Sequence, residues 1–500
     1  MVTVFTIVLQ CALAALVARV VYLCYFHPLA RYPGPWLARF TDIWRLLSFL
    51  NGNHHLTEQR LHERYGRVVR IAPNWLSFSS LEDFETIYGF HKSIEKGDFY
   101  TFGRGRGGGS GSIFSTKDEA THRIKKRKIL GPALSSTKVA GYEAIVSRHI
   151  DVLVSRAEQG LDDRGKVNMA PLVHRFTLDT MLEVIFGPSL SAQKPYTDTP
   201  AGEGLTSVLR VLTKRAWSFS LWPVFGWLMN TRLANAILRR PTHNKQGTPT
   251  GMSALFPAIQ SLIFARNKET AESPQPGIVK NWLQVPSDDT HRMELREIFS
   301  EAANLVIAGP GSTAAAVTAI LFHLGAREGQ IWQDKLRKEA NAAPSSSTTL
   351  PPHLNAVIKE TLRLRAAFPT AFPRVIRPGA ETALSSTLSA PLPVGTTISA
   401  NTYVLGRSRE IWGDDADDWV PQRWVGAISE SQYREMETRL VAFSKGSRGC
   451  VGRDLALLVI GLAVMGIVKK WRFRSVGELS GKSFLEMQYD DCWIEYESIR

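Results

Sequence analysis

The chain has 500 residues, of which 44% are hydrophobic and 21% charged, a balance that supplies a sizeable core and excludes disordered and fibrous classes. Its net charge of +14 suits a membrane surface or an acidic protein partner. A nucleic-acid partner is not expected, because zinc-finger spacing and RNA-binding signatures are both absent.

Residues 2–26 (VTVFTIVLQCALAALVARVVYLCYF) are apolar apart from Gln10, Arg19 and a few hydroxyls. As a helix they outreach the roughly 30 Å hydrocarbon core, and Arg19 lies near enough to the end to snorkel. No basic stretch precedes the run, so an uncleaved single span over 1–26 is expected rather than a cleaved signal peptide. Arg31, Arg39 and Arg45 follow it, and the first acid is Asp42, which puts the bulk of the chain on the cytosolic side. Residues 27–40 carry His27-Pro28 and Tyr32-Pro33-Gly34-Pro35 and read as a stiff, extended hinge. The remainder, 41–500, reads as one large domain. The cysteines, Cys11, Cys24, Cys450 and Cys492, form no disulfide framework, in keeping with a reducing compartment.

Residues 66–80 alternate apolar and polar and predict a short hairpin. The glycine-rich stretch 103–112 (GRGRGGGSGS) lacks the Lys-Ser/Thr ending and preceding strand of a phosphate loop, so a flexible surface loop is expected. Residues 119–137 begin a basic helix, with Lys125, Lys126 and Lys128 expected exposed and able to meet an acidic partner. Residues 142–188 read as two amphipathic helices. Within 205–240, the apolar patch 221–228 (LWPVFGWL) reads as core or as a membrane-interface surface. Residues 241–250 and 285–291 are polar loops. Residues 295–325 form one long helical pattern, and Gly309-Pro310-Gly311 must loosen it locally at a cost of several kcal/mol of propensity. A kink inside a core helix calls for a use.

The segment 341–352 is a low-complexity loop, and 353–366 a helix carrying Glu360 and Arg363 at helical spacing. Residues 392–404 read as strand, turn, strand, and 405–424 as a loop. Then comes Phe443-Ser444-Lys445-Gly446-Ser447-Arg448-Gly449-Cys450-Val451-Gly452, with a helix expected over 455–468. A thiolate at Cys450 would lie at that helix's N-terminus, where the dipole and free N–H groups favour negative charge. Gly446 and Gly452 permit a tight turn against a flat ligand, Arg448 offers a forked donor to a carboxylate, and Phe443 covers the sulfur. Such a pattern arises by chance on the order of once in ten thousand chains of this composition.

F-x-x-G-x-R-x-C-x-G resembles the haem-thiolate signature of the cytochrome P-450 superfamily, and the 27–35 stretch resembles its fungal microsomal members. The resemblance implies a mainly α fold with small β-sheets, haem b, and Cys450 as the axial iron ligand. It implies Arg127 and Arg374 as propionate ligands beside Arg448; Arg123 replaces the family's aromatic four residues before Arg127, and His122 is the stand-in for it. Ala308 and Gly309 match the family's oxygen-pocket pattern; Gly311 stands where that pattern has an acid, and Ser312 where it has threonine, with Thr313 one step on. Glu360, Arg363 and Arg423 match a structural network, with Trp424 in place of the usual Phe, and Phe368 to Phe372 would face substrate. The implied activity is insertion of one oxygen atom from O2 into a lipophilic substrate in fungal secondary metabolism. An NADPH-dependent reductase and the endoplasmic reticulum membrane would be its partners. The alternative keeps the haem but catalyses rearrangement, dehydration or isomerisation without external O2.

Overall fold

The apolar run from Leu295 to Gly325 lies at the centre of this computed structural model. It is two helices, Leu295–Ala308 and Pro310–Gly325, which meet at Gly309. Pro310 has no N–H for the ladder and takes the first position of the second helix, where none is needed. The second helix is buried on almost every side. It packs against helices Met169–Phe186 and Arg453–Lys470 and against the hairpin of strands Trp471–Ser483 and Met487–Ser498. The structure describes the chain apart from residues 1, 91–92, 104–110, 188–241, 244–248, 251, 268–276, 287, 290–291, 343–349, 427–428 and 499–500.

The described residues are mostly α-helical with small sheets, as expected. The 66–80 hairpin is present as Val68–Ala72 paired with Trp75–Phe78. It extends in one five-stranded sheet through Thr397–Ala400 and Arg374–Ile376 to Ile94–Lys96. A second sheet joins Lys166–Asn168 to the terminal hairpin. Several readings need correction. Met169–Phe186 is not amphipathic, because neighbouring elements cover nearly all its faces. Within 392–404 only Thr397–Ala400 is a strand; the Asn401 side chain then accepts from Tyr403 N–H and starts the helical turn Thr402–Leu405. The 205–240 region with its Trp-rich patch, and most of the 103–112 loop, lie outside the described residues.

At the N-terminus, Val4–Phe26 has a mean hydropathy of 2.3 and 0% burial, so it is long and apolar enough to cross a membrane. Leu295–Gly325 passes the same test of length and composition but is 72% buried, which marks it as core. The stretch that follows the N-terminal helix is docked onto the rest of the chain. The Arg70 guanidinium donates to Leu23 O (3.1 Å) and Pro73 O (2.7 Å), and Arg70 N–H donates to Pro33 O (2.7 Å). Leu29 and Tyr32 are buried in the core beside the five-stranded sheet.

Two buried imidazoles give the fold a pH dependence. His323 stacks on Trp419 with ring centroids 5.2 Å apart, and burial, then Arg365, Arg407 and Arg363, hold its pKa down at about 3. Burial, then Arg407 and Arg365, hold His55 down at about 4. Each binds a proton readily only after unfolding. The stability that depends on them is therefore present above 6.5, is lost as pH falls below that value, and stops falling near the folded pKa. The slope is about 1.4 kcal/mol per pH unit for each histidine. Buried carboxyls such as Asp83 and Glu301, raised mainly by burial, act in the opposite direction. Denaturant unfolding compared at about pH 7 and pH 5 should thus show a smaller loss in His323→Asn than in the parent chain.

Candidate active site

A cavity of about 310 Å³ lies between the helix break and the cysteine loop. Ala308, Gly309, Ser312 and Thr313 wall it from the helices; Phe443, Arg448 and Cys450 wall it from the loop; Arg374, Phe368 and Phe372 also reach it. The rest of the lining is largely apolar, and the volume suits a drug-sized molecule. Arg127 and Gly446 are not on this wall.

The cysteine loop closes on itself through Cys450 N–H donating to Phe443 O at 2.9 Å. Ser444 (φ 58°) and Gly446 (φ 66°) both take left-handed backbone. A Cβ at Gly446 would stand 2.3 Å from Gly89 O and 2.5 Å from Tyr88 O, so the end of helix Leu81–Tyr88 by itself demands this glycine. Gly452 is the opposite case: it lies on the cavity wall, and a Cβ there would meet nothing. The helix Arg453–Lys470 starts directly after it.

Cys450 is accessible along the cavity and surrounded by protein elsewhere. Burial pushes its thiol up, while the Gly452 N–H, Lys126 and Arg453 pull it down without overcoming burial. Without a cation at the sulfur, burial outweighs these groups and favours the neutral thiol. A metal cation at the sulfur would deprotonate it outright.

Positive groups crowd one end of the cavity. Lys96, Arg374 and Arg448 stand on the wall. Arg448 donates from Nε to Glu119 (2.9 Å) and from its terminal nitrogens to Thr116 O and Lys117 O (2.8 Å each). Arg374 donates to Tyr100 Oη, and Lys96 to Phe114 O (2.7 Å) and Ile113 O (3.2 Å). His122 lies beside them with Nδ1 buried and unpartnered among the described residues. Burial, then Arg448, Lys96, Lys126 and Arg374, push its pKa down to about 2. Burial and the neighbouring arginines hold Lys96 well below its usual range. This end is built for an anion that would relieve the repulsion.

The basic run before the loop is turned differently from expectation. Arg127 is exposed. Lys125 is buried against Glu301 (3.0 Å), and Lys126 Nζ donates to Ser447 O (2.8 Å) and Gly449 O (3.0 Å), bracing the cysteine loop. Of the three lysines, only Lys128 faces solvent. The physical reason is the wide helical turn Lys125–Leu130, which shifts the inward face off the α-helical register.

On the helix side, Ser312 Oγ donates to Ala308 O (2.8 Å) across the break, and Thr313 is buried on the wall. Glu486, from the terminal hairpin, also reaches the cavity, and burial pushes its carboxyl up to about 8. Sequence reasoning missed Lys96, Lys126 and Glu486.

Behind the loop, Glu360 and Arg363 form a fully buried pair: Arg363 Nε to Oε2 at 2.9 Å and a terminal nitrogen to Oε1 at 2.7 Å. Arg423 Nε (3.0 Å), Val420 N–H (2.9 Å) and Trp424 Nε1 (2.9 Å) also donate to Glu360. The indole at 424 thus adds a donor that a phenylalanine would lack.

The family model of Cytochrome P450 matches residues 33–487. The chain belongs to the cytochrome P450 family. Similar proteins include cytochrome P450 monooxygenase poxC of Penicillium oxalicum, 27% identical over 95% of this chain and 90% of that one. Cytochrome P450 monooxygenase FUP2 of Fusarium proliferatum is 28% identical, over 95% and 91% respectively. The chain spans only 52% of another relative, cytochrome P450 monooxygenase mpaDE of Penicillium roqueforti, at 27% identity over 89% of this chain. The family implies a haem-thiolate cofactor. The P450's own residues fit one: a sulfur that needs a cation, a cationic end with an orphaned imidazole nitrogen, and an apolar cavity between them.

Proposed function

We propose that this P450 is a membrane-anchored monooxygenase that inserts one atom of O2 into a lipophilic organic molecule. The observation that carries the reading is a single cavity walled by both Cys450 and the helix break at Gly309, with a cationic end. Bound haem b, iron protoporphyrin IX, would supply electron transfer and O2 activation there. Cys450 would give the iron its protein ligand, Phe443 would keep water from the sulfur, and Lys96, Arg374 and Arg448 would take the propionates. Arg127, being exposed, is left out of that set. Phe368 and Phe372 would press on the substrate, and Ser312 and Thr313 would hold protons and water.

Electrons would come from NADPH through a reductase. Lys128, Arg123 and Arg127 form an exposed basic face suited to an acidic redox partner. The apolar N-terminal helix and the exposed Trp36, Leu37, Ile43 and Leu47 near it favour residence on the endoplasmic reticulum membrane, with the domain on the cytosolic face. Relatives from several fungi that bear monooxygenase names support a role in secondary metabolism.

Gly311 and Ser312 keep a second reading in view: a rearrangement, dehydration or isomerisation that uses the haem without external O2. Turnover under isotopically labelled O2, with reductase and NADPH, separates the two. Label in the product is the expected result; full turnover with unlabelled product would sink the monooxygenase reading.

A further inference from the structure

Gly311 stands where the family pattern has an acid, and another side chain fills the space. A Cβ built on Gly311 would lie 2.2 Å from Glu486 Oε1 and 2.6 Å from Oε2. The carboxyl of Glu486 therefore occupies the position that a side chain at 311 would take. It is buried, and it shares the cavity wall with Ser312 and Thr313. The turn that carries it is shaped for this: Leu485 adopts φ 101°, costly for a side-chain-bearing residue, and Met487 N–H donates to Ala367 O at 2.8 Å.

Behind Gly311 lies a second, smaller cavity of about 20 Å³, room for a water molecule. Gly311, Thr318, His174, Gln488 and Tyr489 line it. Gln488 also hydrogen-bonds the Glu486 carboxyl. Glu486 lines the main cavity, and its two neighbours Gly311 and Gln488 line the rear pocket.

We propose that Glu486 is the proton donor of the active site, replacing from the terminal hairpin the acid that the helix lacks at Gly311, and that it is recharged through the rear pocket. The proposal rests on the haem-thiolate reading above. The neutral acid gives its proton to an oxygen in the main cavity, directly or through the hydroxyl of Ser312 or Thr313, and is left as carboxylate. Water in the rear pocket returns a proton to it, and solvent replaces that proton. The net change is one proton moved from solvent to the cavity. Burial keeps the acid protonated at neutral pH, with a pKa of about 8 opposed only by the Gln488 hydrogen bond. The other polar groups around it are Ser312 and Thr313 on the helix, His174 on Met169–Phe186, and Tyr489 on its own hairpin. No charged side chain contributes to its shift.

Glu486→Gln keeps size and hydrogen bonding but cannot donate a proton. Infrared titration of the purified protein, which needs no turnover, should show a protonated carboxyl band that ionises near 8 and is missing in Glu486→Gln. With haem, Glu486→Gln should keep the carbon monoxide spectrum and lose product formed per NADPH by roughly 100-fold. Gly311→Asp with Glu486→Ala, which moves the carboxyl onto the helix, should recover much of that loss. The proposal is overturned if Glu486→Gln couples like the parent, or if no carboxyl titrates above neutrality. Should Glu486→Gln fail to hold haem, the infrared titration of the parent against that variant still decides. Failure of the underlying reading looks different: the parent itself would then give no thiolate-type carbon monoxide spectrum.

Discussion

Replacing Cys450 by alanine should abolish the absorption band that a thiolate-ligated haem gives in its reduced carbon monoxide complex, together with all turnover. Cys450 is the sole cysteine on the cavity wall; Cys11 and Cys24 lie in the apolar N-terminal segment, and Cys492 is buried away from it in the terminal hairpin. No other thiol on the wall can take its place. The loop should survive the change, because its shape comes from the Cys450 N–H bond to Phe443 O, from Gly446 against the Tyr88–Gly89 backbone and from the Lys126 brace, none of which uses the thiol. Circular dichroism should therefore be unchanged while the band is lost. A variant that kept the band would show that the sulfur ligand has been assigned to the wrong residue.

The second large effect is on stability. Glu360→Ala removes the acceptor of Arg363, Arg423, Trp424 and the Val420 N–H at once. Arg363 keeps bonds to the Gly406, Ala416 and Asp418 carbonyls, but its charge is left buried without an anion. Breaking a buried pair from one side costs about 3–5 kcal/mol. Trp424→Phe, which removes one bond to a charged acceptor, should cost about 1.5–3 kcal/mol. Thermal unfolding followed by far-ultraviolet circular dichroism measures both. Equal losses in the two variants would mean that the indole, not the ion pair, organises the network.

Local features were legible in the sequence, and features that depend on assembly were not. The cysteine loop could be read because its glycines, arginine and cysteine lie within ten residues, and Gly309-Pro310-Gly311 announces its own break. Arg374 was placed on the cavity, but Arg127 was not, because the wide turn at Lys125–Leu130 breaks the 3.6-residue periodicity on which any inward-or-outward reading of a basic helix depends. Lys126 looks like any other surface lysine until the fold brings it under Ser447 and Gly449. Glu486 carried no signal at all. Its neighbour Gly311 is 175 residues away in the chain, and only pairing of the terminal hairpin brings them together.

The docked segment after the apolar N-terminal helix bears on how the enzyme would sit on a membrane. A flexible tether would let the domain tip and spin above the lipid. Here Arg70 grips Leu23 and Pro73, Pro33 is bonded to the sheet backbone, and a Cβ on Gly34 would collide with Arg70 O at 2.2 Å. The connection acts as a strut. Were the apolar helix to span a membrane, these contacts would tie the depth and tilt of the exposed Trp36–Leu47 surface to the helix. Lipophilic molecules dissolved in that bilayer would then meet the same face of the protein at every encounter, instead of waiting for a swinging domain to present it.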